Sequence, residues 1–342
     1  MVYTCKDIAK KAGVSISTVS RVLNKKDLHK VGEKTRGKVE KIIKQMKYTP
    51  NIIARSLVSK KSFSVAVALE DFKDVVGPYF SQIISGIAYV LQENGYYLQL
   101  LGTVSAKNKP LSQHYLQAIK ERRVDGVIIL SEAINEKEIL GLWKEKFPVL
   151  LVNRYISGKE IPSVLMDNEK GLYDVTSELV NLGHRKIVFM AGSLRYQLDQ
   201  DRLKGYKKAL RENNIEFDER YVLEGFFRYE KAVDALKDFI SRGERFSAVA
   251  ASDDVMAFAC ITTLKKNDLS VPGDVSVTGF NDMLFLPAVN PTLTSVKVSL
   301  IEMGKEAAIK ILKIIDKKQI PEITTVFKPQ LIKRQSISPY TG

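Results

Sequence analysis

Short hydroxyl side chains and a single arginine crowd the stretch ISTVSRVLN near the start of the chain. Ile16, Ser17, Thr18, Ser20 and Arg21 fall outside the helical face that Val19, Val22 and Leu23 would bury. An ordinary surface helix carries Lys and Glu at such positions. Hydroxyls with one guanidinium are donors and acceptors suited to base edges and phosphate oxygens, and their small size lets a helix approach a groove closely. A second set lies far along the chain: Tyr79, Phe80, Arg202, Phe227, Asp253, and Asn281 with Asp282. Each stands where a strand-like run gives way to a helical one. Aromatic faces that stack on a ring, a fork of Arg donors, and Asp or Asn acceptors suit a polyhydroxylated ligand. Each also has a plainer reading: Asp253 as a helix cap, Phe227 as core, Arg202 as the partner of Asp199 or Asp201.

Other chemistries lack their motifs. The sequence contains no GxxxxGK[ST], no GxGxxG after the first strand-like run, no HExxH and no GxSxG, and His29, His114 and His184 are scattered. Asp253 and Asp254 are adjacent in a loop and therefore expected to face different sides, which does not make an acid/base couple. Cys5 and Cys260 are too far apart in sequence to give a paired metal or disulfide pattern. A binding protein without catalytic residues, cofactor or metal is expected. No apolar signal core follows Met1 and no run reaches membrane-spanning length, so the expected location is the cytoplasm, at the nucleoid.

The elements that must position these residues follow from periodicity. Thr4 and Asp7 mark the start of a short helix with Ile8, Ala9 and Ala12 on one face and Gly13 at its end; Ser15 caps the next helix. A third helix is expected from Glu33 to Met46, with Val39, Ile42, Ile43 and Met46 inward. Two short helices joined by a glycine-containing turn, closed by a third, fit a helix-turn-helix. After Pro50, NIIARSLVSKKS exposes Ile52, Ile53 and Leu57 unless they wedge into a DNA minor groove or pack on the next domain. From Ser62 onward, SVAVAL, YYLQLL, DGVIIL and PVLLV, then KIVFMA, YVLEGF, AVAAS and VSVTGF, alternate with helical stretches. That alternation predicts two successive lobes with parallel sheets and a cleft at the strands' carboxyl ends.

Charge agrees with this division. Of the net +14 over 342 residues, residues 1–61 contribute +12, from 16 basic and four acidic side chains. A basic head on a near-neutral body suits a nucleic-acid reader, since phosphate neutralisation supplies non-specific affinity. With 45% hydrophobic and 27% charged residues, the chain has the composition of a globular protein.

The stretches TCKDIAKKAGVSISTVSRVLN and VGEKTRGKVEKIIKQMKYTPNIIARSL, with the later GFND and PTLTSV, resemble the LacI/GalR family of bacterial repressors over nearly the whole chain. The resemblance implies a three-helix helix-turn-helix domain (1–50), a hinge helix and linker (51–61), and a two-lobe, periplasmic-binding-protein-like α/β body (62–342). One lobe would comprise about 62–161 with 292–325, the other about 162–291 with 326–340. It further implies that Ile16, Ser17 and Arg21 read bases. Thr4, Ser15, Thr18, Ser20 and Asn24 would contact phosphates, and Leu57 would enter the minor groove at the operator centre. Arg202 in DRLKGY, Phe227 in GFF, Asp253 in SDDVMAF and Asn281 in GFND match effector-contacting positions, while Asp167 and Asn168 in MDNEKG are expected to cap a helix. The chain departs from the family in its Lys25–Lys30 loop, at Gly32, in the long acidic LEDFKDVVGPYF, and at Asp253, where Asn is common. The last change favours hydroxyl donors, hence a sugar over a purine. The implied partners are a near-palindromic operator in double-stranded DNA, a small-molecule effector and a second copy of the chain, leaving room for a protein corepressor. The closing KRQSISPYTG bears no heptads, so a dimer rather than a tail-tied tetramer is expected.

Overall fold

The structure, a computed structural model, describes all residues except 1–2, 24–26, 49–51, 70–76, 103–111, 131 and 133, and omits the side chains of 52–54, 58 and 112–114. The chain divides into two compact units, Met1–Ser62 and Phe63–Gly342.

The first unit holds α1 (Cys5–Ala12), α2 (Ile16–Leu23), α3 (Glu33–Gln45) and α4 (Ile52–Ser59). At the start of α1, Thr4 and Asp7 form a reciprocal capping box, and Gly13 ends the helix at φ 64°, a left-handed turn that glycine adopts without steric cost. The short core gathers the expected inner faces: Ile8, Ala9, Ala12, Val19, Val22, Val39 and Ile42 are buried, with Leu23, Ile43 and Met46 packed against them. Val31, in the connection before α3, joins this core. Gly32 precedes α3 without a side-chain cap.

The second unit contains two six-stranded sheets. In the first, the order is β11-β5-β4-β3-β1-β2, all parallel: β1 (Ser64–Leu69), β2 (Tyr97–Gly102), β3 (Gly126–Ile129), β4 (Val149–Val152), β5 (Ser163–Met166) and β11 (Thr324–Phe327). In the second, the order is β12-β10-β9-β8-β6-β7: β6 (Ile187–Ala191), β7 (Val222–Glu224), β8 (Ala248–Ala251), β9 (Ser276–Asn281), β10 (Thr294–Lys297) and β12 (Gln330–Ile332), with only β10/β12 antiparallel. Central strands β1, β3, β4, β6, β8 and β9 are buried along their whole length, whereas edge strands β2, β7, β11 and β12 are half open. Continuous apolar runs are what a strand covered on both faces requires. Helices α5 (Pro78–Glu93), α6 (Ser112–Lys120), α7 (Glu136–Lys144), α8 (Asn168–Asn181), α9 (Gln197–Glu212), α10 (Tyr229–Ser241), α11 (Asp254–Lys265) and α12 (Leu300–Ile315) cover the sheets.

Sheet membership corrects the expected lobe boundaries. Residues 163–166 form β5 of the first sheet, not the second; 294–297 form β10 of the second sheet; and β11 lies in the first sheet to its end at Phe327. The reason is pairing. Leu151 pairs with Ser163, and Thr294 with Thr278, and such hydrogen bonds leave no periodic trace in hydropathy. The chain therefore passes between sheets at β5/α8, β10/α12 and β11/β12. Where α5 meets α12, backbones touch: a Cβ on Gly86 would lie 2.1 Å from the Ile301 carbonyl oxygen, and one on Gly304 2.1 Å from that of Ile83.

Candidate nucleic-acid interface and ligand cavity

In α2, burial of Val19 and Val22 turns Ile16 and Ser17 outward. Ile16 is 52% exposed, an apolar side chain presented to solvent at the first turn. Thr18, Ser20 and Arg21 are half-buried along the rim of the same helix. Ser15 Oγ accepts from the Thr18 amide at 3.1 Å and lies 2.7 and 2.9 Å from the Ser17 and Thr18 hydroxyls. The hydroxyls thus form one cluster at the positive end of the helix, where phosphate oxygens are favoured. Thr4 caps α1: its hydroxyl accepts from the Asp7 amide at 3.4 Å and donates to Asp7 Oδ2 at 2.7 Å. Asn24 lies outside the described residues. On α4, Leu57 is 78% exposed.

In the second unit a cavity of about 350 Å³ is lined by Gly77, Pro78, Tyr79, Phe80, Asn153, Leu198, Arg202, Phe227, Arg228, Asp253, Val255, Asn281 and Met283. Six of the seven expected ligand residues therefore converge: Tyr79, Phe80, Arg202, Phe227, Asp253 and Asn281. Asp282 does not. Its carboxylate accepts from Arg334 Nη2 at 2.6 Å, and its amide donates to Ser295 Oγ at 3.1 Å. The backbone explains the split. Asn281 closes β9 at φ 98° and Asp282 follows at φ 50°, two left-handed residues in succession that send neighbouring side chains to different places. Asn153 and Phe227 also hold φ values of 53–54°, so three of the residues that line the cavity sit on strained left-handed turns.

Arg202 is 2% exposed and makes no ion pair among the described residues; the expected alternative partners are otherwise engaged. One oxygen of Asp199 accepts from the Ser193 amide at 2.7 Å, although its charge still favours the buried Arg202 cation, and Asp201 accepts from Lys204 at 2.6 Å. Arg202 Nε donates to Asn168 Oδ1 at 2.9 Å and Nη1 to the Ser252 carbonyl at 2.6 Å, while the guanidinium lies 4.1 Å above the Phe280 ring. Asn168 Nδ2 in turn donates to Asn153 Oδ1 at 2.9 Å, and Asn153 Nδ2 to the Tyr79 hydroxyl at 3.1 Å. Burial lowers the Arg202 pKa and pushes the Tyr79 phenol up to about 12, keeping it a neutral donor.

Asp253 serves two purposes at once. Its Oδ1 accepts from the Met256 amide at 2.7 Å, capping α11, and it lines the cavity. Burial raises its carboxyl to about 6. Asp254 faces away, accepting from Ser295 Oγ at 2.6 Å and the Met283 amide at 2.9 Å, so the two carboxylates are separate as expected. Asn281 Oδ1 is buried without a hydrogen-bond donor among the described residues, an acceptor whose desolvation a ligand donor would offset. Gly192 makes room for the aromatic wall: a Cβ there would lie 2.0 Å from Phe227 Cζ. Asp167 caps α8 through the Lys170 amide at 2.9 Å, but Asn168 does not cap and belongs to the Arg202 network. Asn153, Leu198, Arg228, Val255 and Met283 were not singled out in the sequence. Asn153 follows the apolar run PVLLV, and its place at a strand end was the available signal.

Comparison with known proteins agrees with both units. Residues 4–51 match the description "Bacterial regulatory proteins, lacI family", and residues 176–337 match a periplasmic binding protein-like domain. The HTH-type transcriptional regulator RegA of Clostridium saccharobutylicum is 34% identical, over 98% of this chain and 99% of the relative. The HTH-type transcriptional regulator GalR of Escherichia coli (strain K12) is 31% identical, over 98% and 96%. Among solved structures, the transcriptional regulator CelR-cellobiose complex is similar at TM-score 0.75 and 28% identity, covering 98% of this chain and 99% of that one. The lac repressor dimer bound to operator and the anti-inducer ONPF shares the fold at TM-score 0.84 and 24% identity, covering 99% and 100%. A basic helix-turn-helix head, a two-sheet body with a cavity at its strand ends, and full-length similarity to these regulators together show that the chain belongs to the lacI family of bacterial DNA-binding transcriptional regulators.

Proposed function

We propose that this regulator is a homodimeric repressor of carbohydrate-utilisation genes whose effector is a sugar held in the body cavity. The observation that carries the ligand half is the convergence of Tyr79, Phe80 and Phe227 with Arg202, Asp253 and the donor-less Asn281 Oδ1 around one cavity. Apolar walls with a few placed polar groups are the usual form of a small-molecule site, and about 350 Å³ is near the small end of the range. CelR, a full-length structural neighbour, was solved with cellobiose. On the DNA side, α2 of each protomer enters successive major grooves of a near-palindromic operator. Ile16, Ser17 and Arg21 read bases there, Thr4, Ser15, Thr18, Ser20 and Asn24 hold phosphates, and Leu57 wedges into the minor groove at the centre. Ligand binding changes the setting of the two sheets and with it the stability of the DNA-bound state. No turnover of the ligand is involved.

Thermal-shift screening against mono- and oligosaccharides tests the reading, because a ligand that binds only the folded protein raises its apparent stability. A sugar is expected to raise the unfolding midpoint, and Arg202→Ala to abolish that rise with the fold retained. An undiminished rise in the variant removes Arg202 from the site; no response to any sugar removes the sugar.

A further inference from the structure

We propose that Asn168 is the positioning residue for the ligand-contacting arginine: it locks the Arg202 guanidinium before the ligand arrives and ties it to Tyr79 across the cavity. The inference rests on the reading of the cavity as the effector site and adds a residue that does not line it.

Asn168 is the first residue of α8 and is 6% exposed. At the start of a helix an Asn side chain ordinarily turns back to a backbone amide. Here Asp167 takes that duty through the Lys170 amide, and the Asn168 amide is released to span two elements. Its oxygen accepts from Arg202 Nε on α9, and its nitrogen donates to Asn153 after β4. Asn153 passes the connection to the Tyr79 hydroxyl at the start of α5. One chain of hydrogen bonds therefore orients two cavity walls carried by different sheets.

The guanidinium is held on three further sides. Nη1 is taken by the Ser252 carbonyl, the plane lies over Phe280, and among the described residues Nη2 has only the Met166 sulfur at 3.7 Å. A thioether is a weak acceptor, so Nη2 keeps donor capacity for an oxygen in the cavity. Asn suits this role better than a carboxylate. A neutral acceptor fixes the plane without adding to the negative charge that Asp199 and Asp253 already set against the guanidinium, and fixing it in advance lowers the ordering cost of binding.

The test uses the full-length protein labelled with ¹⁵N at arginine Nε, with the Arg202 signal assigned by its loss in Arg202→Lys. Wild type should show an Nε–H signal protected from solvent exchange. Asn168→Leu, which keeps volume and removes the acceptor, should lose that protection, and Asn168→Asp, which restores an acceptor, should regain it. Should Asn168→Leu not fold, Asn168→Ala answers the same question. Cellobiose and ribose serve as ligand probes, and whichever binds wild type should bind Asn168→Leu roughly tenfold more weakly, as for one buried hydrogen bond to a charged group. A protected Nε–H signal in the acceptor-less variant overturns the proposal. So does unchanged probe affinity in that variant when Arg202→Ala abolishes binding. Probe binding that survives Arg202→Ala, or a wild type that binds neither sugar, counts against the sugar site instead, and the exchange measurement still decides what holds Arg202.

Discussion

Asp253 both caps α11 and faces the body cavity, and pH separates the two duties. Desolvation is the largest influence on its carboxyl, lifting the pKa from 3.8 to about 6; Arg202 opposes the rise and Asp199 adds to it. Because the folded value is the higher one, the native state binds the extra proton, and its contribution to stability declines as pH climbs from 3.8 to about 6. Ligand binding should run the other way. Only the ionised carboxylate offers all its lone pairs to hydroxyl donors, so affinity for the sugar should rise as pH passes about 6. Thermal shifts measured across that range should show the step in wild type and a flat profile in Asp253→Asn. Burial also raises Glu132, to about 7, against the opposing charge of Arg154, and Glu132→Gln should leave the step near 6 in place. Residue types at strand ends announced Asp253 and Phe227, and an arginine near a helix start announced Arg202, which the structure places in the second turn of α9. They did not distinguish Asn281 from Asp282, because the left-handed turn that parts them is a tertiary outcome.

Among the elements, α5 and α12 approach backbone to backbone in the first lobe, and two glycines permit it. Gly86 and Gly304 stand more than two hundred positions apart, and each would drive a Cβ to 2.1 Å from a carbonyl oxygen of the other helix. Gly86→Ala should therefore separate the helices and cost about 1–3 kcal/mol of stability, despite alanine's better helix propensity. Chemical denaturation with an unchanged slope and a lower midpoint would show it; a stabilised variant would contradict the packing account. Capping and periodicity in the sequence located the helices of the head to within a residue or two, since Thr4, Gly13 and Ser15 act on their own neighbours. Strand order in the body was not legible in that way. Strands β5 and β10 changed lobes between expectation and structure because pairing partners are chosen by hydrogen bonds over long separations.

For the molecule as a whole, the head carries +12 of the net +14. Operator affinity should fall steeply with salt: for six to ten phosphate contacts the loss is roughly 10³–10⁵-fold between about 50 and about 200 mM. Fluorescence anisotropy with labelled operator measures the slope, and a salt-independent affinity would contradict a phosphate-holding head. The described body has no such excess charge, and the same titration on residues 63–342, a compact unit in its own right, should find no DNA binding. In sedimentation the full chain should run as a dimer, the smallest species that presents two heads to a two-fold operator.

The sequence by itself determined the parts whose physics is local: the basic head, its three helices and their inner faces, the apolar strand runs, and the set of residue types able to hold a polyhydroxylated ligand. Neighbouring residues set charge density, capping and periodicity, so a linear reading reaches them. Tertiary structure alone decided that Asp282 pairs with Arg334 instead of facing the cavity, that Asn153 and Asn168 connect Tyr79 to Arg202, and which sheet takes β5 and β10. Those outcomes depend on groups brought together from distant positions, where a buried polar atom must find a partner or remain unpaired at a cost.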